Sequence, residues 1–148
     1  MTSFELDLLS RHLELSPEET AALLPTPLHS IADLGGGPDD CPHLPWWLAA
    51  GEPVLVLIGA DVDTLAVAVP RIEWNSQTPV MVATSCAWRV LDEPTEVIRQ
   101  WFRDHAASAL RSRTASFRRC HRCGDLTPPE HRLGAICHSC AQADGVVF

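Results

Sequence analysis

Hydrophobic positions along the chain change period between its two halves. Near the start, Phe4, Leu8, Leu9 and Leu13 recur at helical spacing behind Ser3, whose hydroxyl suits an N-cap. This predicts a helix over residues 3–13. Ser16-Pro17-Glu18-Glu19 repeats the start signal, with serine at the cap, proline in the first turn and a glutamate able to reach back to the cap amide. A second helix is expected over 17–24, closed by Pro25 and Pro27. The pattern then turns to short apolar runs. Residues 54–58 are continuously apolar, as in a central strand buried on both faces. Residues 59–63 read as a turn, 65–69 as a strand stopped by Pro70, and 80–90 as a third strand long enough to bulge. Short links favour antiparallel pairing. Asp92, Glu93 and Pro94 then open a helix expected over 94–110. Val97, Ile98, Trp101, Phe102, His105 and Ala109 form its apolar face, opposite Glu96, Arg99, Gln100 and Arg103.

The remaining segments are irregular by composition. Residues 25–45 include Gly35-Gly36-Gly37-Pro38-Asp39-Asp40, a loop that lacks the lysine and hydroxyl a phosphate-binding loop requires. Residues 45–51 read as a helical turn ended by Gly51, with Trp46 and Trp47 beside Pro45. These two tryptophans are candidates for partner binding at an exposed edge, weighed against packing under the loop. Arg111-Ser112-Arg113-Thr114 reads as a hinge. Residues 145–148 are an apolar end, expected to pair as a last strand, to pack on Phe117 or to serve as a recognition tail.

Four of the six cysteines form two C-x-x-C pairs, Cys120/Cys123 and Cys137/Cys140, separated by thirteen residues. Two intervening residues let one tight turn aim both sulfurs at a point. Gly124 after the first pair permits a left-handed backbone that points amides at the sulfurs. Four soft thiolates in this arrangement select zinc, and their closed shell leaves no open position for water or substrate. One structural zinc is therefore expected. A shell of three cysteines with His121 or His138 is the alternative. His131 is also near, as a surface or supporting residue. Cys41, with Asp39, Asp40 and His43, is a weaker candidate for a second metal, read first as an incidental thiol in a loop. Cys86 reads as a small core residue. The expected fold class is α+β: a small, mostly antiparallel sheet with flanking helices over 1–110, then a C-terminal four-cysteine zinc ribbon or treble-clef-like module over 114–148.

The segment carrying Phe117, Cys120, Cys123, Gly124, Thr127, Cys137 and Cys140 resembles the zinc ribbon of bacterial NADH pyrophosphatases. There too a phenylalanine-containing lead-in and C-x-x-C-G follow a helix and a small α+β domain. The resemblance covers about thirty residues. In that family a Nudix hydrolase domain with a glutamate-rich metal box follows. No such box occurs in these 148 residues, so the resemblance implies a metal-held fold and not pyrophosphatase chemistry.

Composition adds an electrical asymmetry. The formal net charge is −8, with 46% hydrophobic and 20% charged residues, as suits a folded protein. Residues 1–97 hold fifteen acids against three arginines, and 98–148 hold eight arginines against four acids. There is no lysine and no tyrosine, a bias read first as GC-rich coding, with avoidance of lysine-directed modification as the functional alternative. An acidic body thus carries a basic tail. The body would attract a basic protein, and Arg111, Arg113, Arg118, Arg119 and Arg122 would contact phosphates if the tail bound nucleic acid. No nucleophile elbow or paired-carboxylate motif appears, and no apolar run approaches the roughly 18–20 residues that cross a membrane. The expectation is a cytoplasmic, non-enzymatic zinc protein that acts as an adaptor, accessory subunit or toxin-neutralising protein through its acidic body. A nucleic-acid-binding regulator is the alternative.

Overall fold

The structure, a computed structural model, describes residues 3–31, 34 and 41–145. The glycine-rich segment 35–37, Asp39 and Asp40, and the end of the apolar tail lie outside the described residues.

Helix α1 (Phe4–Leu13) starts where Ser3 Oγ accepts the Leu6 amide at 3.2 Å. Helix α2 (Pro17–Ala21) carries the expected reciprocal cap. Glu19 N donates to Ser16 Oγ at 3.1 Å and Ser16 N donates to Glu19 Oε1 at 3.2 Å. It is shorter than expected, and a turn occupies 22–23 before Pro25. Five strands follow: β1 (Leu28–Ile31), β2 (Trp46–Ala50), β3 (Val56–Ala60), β4 (Thr64–Asn75) and β5 (Thr78–Val90). They form one antiparallel meander in the order β1-β2-β3-β4-β5. The continuously apolar β3 is central and buried along its whole length, as its composition requires. Helix α3 (Thr95–Ala115) packs against the sheet.

The two faces of the sheet separate by strand periodicity. Leu48, Val56, Ile58, Leu65 and Val67 meet Leu9 and Leu13 of α1 and Ile98 and Phe102 of α3 in one core. The alternate positions Trp47, Ala49, Leu57, Ala66, Ala68 and Ala83 form a second core, against which Leu34, Cys41, Leu44 and Cys86 pack. Small residues on that face leave room for the Trp47 ring. Gly59 is the tightest example: a Cβ there would lie 2.8 Å from both Leu44 Cδ1 and Trp47 Cη2.

Several local expectations give way to tertiary context. Residues 46–50 form a strand rather than a helical turn, because all five pair with β3, from Trp46 opposite Ala60 to Ala50 opposite Val56. Gly51 does take positive φ, at 101°, but ends a strand. The expected turn at 59–63 is narrower, since Gly59 and Ala60 belong to β3. Pro70 does not stop β4. It lies beyond Ala68, the last partner of β3, where one side of the strand is open and a missing amide donor is tolerated. β4 and β5 therefore run on together as a two-stranded arm ending at Ser76 and Gln77. A bulge between Val67 and Val69, opposite Ala87 and Thr84, changes the register at the base of the arm. The hinge expected at 111–114 is helical, because Arg113 extends the buried stripe of Ile98, Phe102, Ala106 and Ala109 by one more turn.

Gly59→Ala is expected to cost about 1–3 kcal/mol through overpacking against Trp47 and Leu44. Urea denaturation followed by tryptophan fluorescence checks this, and an unchanged midpoint would contradict the packing described.

Candidate metal centre

Residues 118–143 are built from two small hairpins and a helix. Strands β6 (Arg118–Arg119) and β7 (Leu126–Thr127) flank a tight turn that carries Cys120 and Cys123. Within it, the Gly124 amide donates to Cys120 O at 2.9 Å and the Cys120 amide donates to Asp125 O at 2.8 Å. Gly124 holds φ at 78°, the conformation expected from its place after the pair. A 3-10 turn (Pro129–His131) leads into β8 (Arg132–Leu133) and β9 (Ile136–Cys137). Helix α4 (His138–Ala143) follows at once, so Cys137 caps it and Cys140 lies in its first turn. The first cysteine pair thus comes from a hairpin turn and the second from a strand–helix junction. That order of elements is treble-clef-like rather than a ribbon of two equivalent turns. The His121 amide ties the halves together through Ala135 O at 2.9 Å.

The four sulfurs lie within 4.8 Å of one another and form a cluster able to hold a metal ion. Cys123 Sγ and Cys137 Sγ are 3.8 Å apart. A regular tetrahedron with metal–sulfur bonds of about 2.3 Å has edges of roughly 3.8 Å, so the spacing suits such an ion. His121, His131 and His138 do not belong to the cluster.

Backbone amides prepare the sulfurs for negative charge. The amides of Arg122, Cys123 and Cys137 reach Cys120 Sγ at 3.4, 3.5 and 3.3 Å. The bonds from Cys123 and then Cys137 lower the Cys120 thiol to about 5, against the opposing effect of burial. Cys140 moves the other way, pushed up to about 12 first by its hydrogen bond with Cys137 and then by burial. Without a cation, then, one sulfur ionises readily while its neighbour holds its proton. A bound dication would remove that conflict.

The module is joined to the body by a buried ion pair. Arg113, in the last turns of α3, donates Nη2 to Glu130 Oε2 of the 3-10 turn at 2.6 Å and Nε to Val54 O at 3.0 Å. Its guanidinium also lies 5.1 Å from the Phe117 ring centroid. The two charged side chains are 4% and 9% exposed.

The arginines expected to contact phosphates are placed differently from one another. Arg113 is enclosed and fully engaged, and does not present its charge to a phosphate. Arg111, Arg118, Arg119 and Arg122 are exposed. Of these, Arg122 pairs with Asp144, Arg119 donates to Gly124 O, and Arg118 donates to Ala115 O and Phe117 O. The double tryptophan also divides. Trp47 is buried at 6% exposure, while Trp46 is half-buried with its ring 5.0 Å from that of Phe4. Both therefore pack within the body. The tryptophans that face solvent are Trp74 on the arm and Trp88 on β5, which strand alternation interrupted by Pro70 did not single out. Cys41 and Cys86 pack at the second core, and among the described residues they belong to no metal-compatible cluster.

Comparison with family models, with curated proteins and with solved structures finds no match for this chain.

Arg113→Ala is expected to destabilise the protein by about 3–5 kcal/mol, since it leaves the Glu130 carboxylate buried without its partner. Glu130→Gln should also destabilise, by less, because an amide oxygen still accepts a hydrogen bond. Equilibrium denaturation of both variants with zinc present checks the order, and a loss below about 1 kcal/mol for Arg113→Ala would contradict a buried clamp.

Proposed function

We propose that this is a non-enzymatic protein-interaction module in which one zinc ion, held by Cys120, Cys123, Cys137 and Cys140, has a folding role. The observation that carries the reading is the convergence of four sulfurs within 4.8 Å of one another. Four protein ligands saturate a tetrahedral ion and leave no place for a reacting water, as in structural rather than catalytic sites. A unit of two-residue strands and a six-residue helix has little core of its own, which further supports a role for the ion in folding. The resemblance to the NADH pyrophosphatase ribbon is carried no further than this metal-held fold.

The partner is expected to be a protein rather than a nucleic acid. The exposed acids Glu18, Asp92 and Glu96 belong to a body with net charge −12 over residues 1–97, which would repel phosphates and attract a basic surface. Enclosure of Arg113 and pairing of Arg122 reduce the positive charge that the tail offers to phosphates. Roles as an adaptor, accessory subunit or toxin-neutralising protein all fit this reading. Among the described residues, no helix is long and apolar enough to cross a membrane.

Metal analysis of purified protein should find one zinc per chain. Cys137→Ser should lose it, with increased protease cleavage after residue 115, while far less than one zinc in intact protein would overturn the site. Affinity purification should recover one stoichiometric protein partner, lost when Glu18, Asp92 and Glu96 are changed to their amides. Recovery of nucleic acid instead, with affinity falling steeply between about 50 and 200 mM salt and with Arg118→Ala plus Arg119→Ala, would favour the regulator reading.

A further inference from the structure

A cleft of about 950 Å³ opens between the arm and the metal module. Ile72, Trp74 and Pro79 line the arm side; His131, Arg132 and His138 line the module side. The two walls differ in chemistry. Trp74 is 57% exposed, whereas Trp47 in the core is 6% exposed, so the arm holds a large apolar ring in water. Among surface tryptophans such rings are the residue type most enriched at the centres of protein interfaces.

The module wall offers donors. Arg132 gives Nη1 to Arg118 O at 2.6 Å and to Thr127 Oγ1 at 3.1 Å, which fixes its guanidinium against the first hairpin. The exposed ring of His131 stands 6.4 Å from that of His138 and carries at least one N–H in either protonation state. The carboxylate on this wall, Glu130, is already committed to Arg113. The cleft is therefore an aromatic shelf facing a cationic, donor-rich wall, on a molecule whose body is strongly acidic.

We infer that this cleft docks an extended acidic segment of a partner protein, with an apolar side chain against Trp74 and a carboxylate toward Arg132 and His131. Charge complementarity decides the class of occupant. An acidic segment is repelled by the body and accepted here, while a basic segment is drawn to the body instead. The volume lies near the upper end of the roughly 300–1,000 Å³ of small-molecule pockets, and the open sides suit a chain segment passing through. The inference rests on the interaction-protein reading and goes beyond it. The molecule then has two docking faces of opposite polarity, as an adaptor requires. Because the module wall is framed by the cysteine cluster and clamped by Arg113, the cleft depends on the metal.

The test is panning of a displayed random dodecapeptide library on the zinc-loaded full chain, followed by fluorescence anisotropy with the enriched peptides. Enriched sequences should include a class that carries net negative charge around an apolar residue. Trp74→Ala should weaken them about 10-fold or more, and His131→Gln and Arg132→Gln should each weaken them several-fold. Trp74 and His131 are exposed, so their variants should remain folded, with unchanged denaturation midpoints. Acidic peptides whose affinity ignores all three variants would overturn the cleft while leaving the interaction reading in place. Recovery of basic peptides alone, lost on neutralising Glu18, Asp92 and Glu96, with no acidic class enriched, would do the same. No enriched peptide, or binding of a labelled oligothymidylate that Trp74→Ala abolishes, would overturn both.

Discussion

The buried guanidinium of Arg113 is the interaction on which the rest of the architecture turns. Taking an arginine and a glutamate out of water costs several kcal/mol for each ion, and only close, complete pairing offsets it. Here the pairing is supplied from three separate places: Glu130 of the metal module, the Val54 carbonyl between β2 and β3, and the Phe117 ring at the start of the module. Phe117 follows only four residues on, but Val54 and Glu130 are near Arg113 only when the sheet, α3 and the module have all formed. The pair therefore joins the module to the body.

That joint gives the cysteine cluster an influence beyond its own residues. Glu130 sits in a 3-10 turn between the two small hairpins, and those hairpins converge on the four sulfurs. Amide hydrogen bonds favour ionisation of Cys120, while Cys140 is held protonated by its neighbours. A dication would resolve this opposition and fix the hairpins together, which keeps Glu130 facing Arg113. On the proposed reading a bound metal would hold the fold rather than carry a reaction. Its effect reaches the body as the cost of leaving a buried arginine unpaired.

What was legible in the sequence was mostly what local chemistry decides. Ser3, and the Ser16–Glu19 box, mark helix starts because a side chain three residues away satisfies the free amides. The cysteine pairs are equally legible, since a C-x-x-C turn needs little from the rest of the fold. The α+β class followed from the change of period and from the apolar run that became β3. What was not legible depends on distant partners. Residues 46–50 are a strand because β3 lies alongside, and no feature within them says so. β4 passes through Pro70 because β3 has already ended. Arg113 reads in sequence as one basic residue among several, and only its enclosure by Val54, Phe117 and Glu130 separates it from its exposed neighbours. Pro128-Pro129-Glu130, a turn with an acid inside a basic tail, was the one local signal of that partner.

The proposed four-cysteine site stands or falls on the identity of the shell around a bound ion. Zinc K-edge X-ray absorption on the purified full chain measures it without mutation. Four sulfur scatterers at about 2.3 Å, with no nitrogen or oxygen in the shell, is the predicted result. A shell containing imidazole or water, or a preparation whose metal is iron, would contradict a closed four-cysteine zinc site.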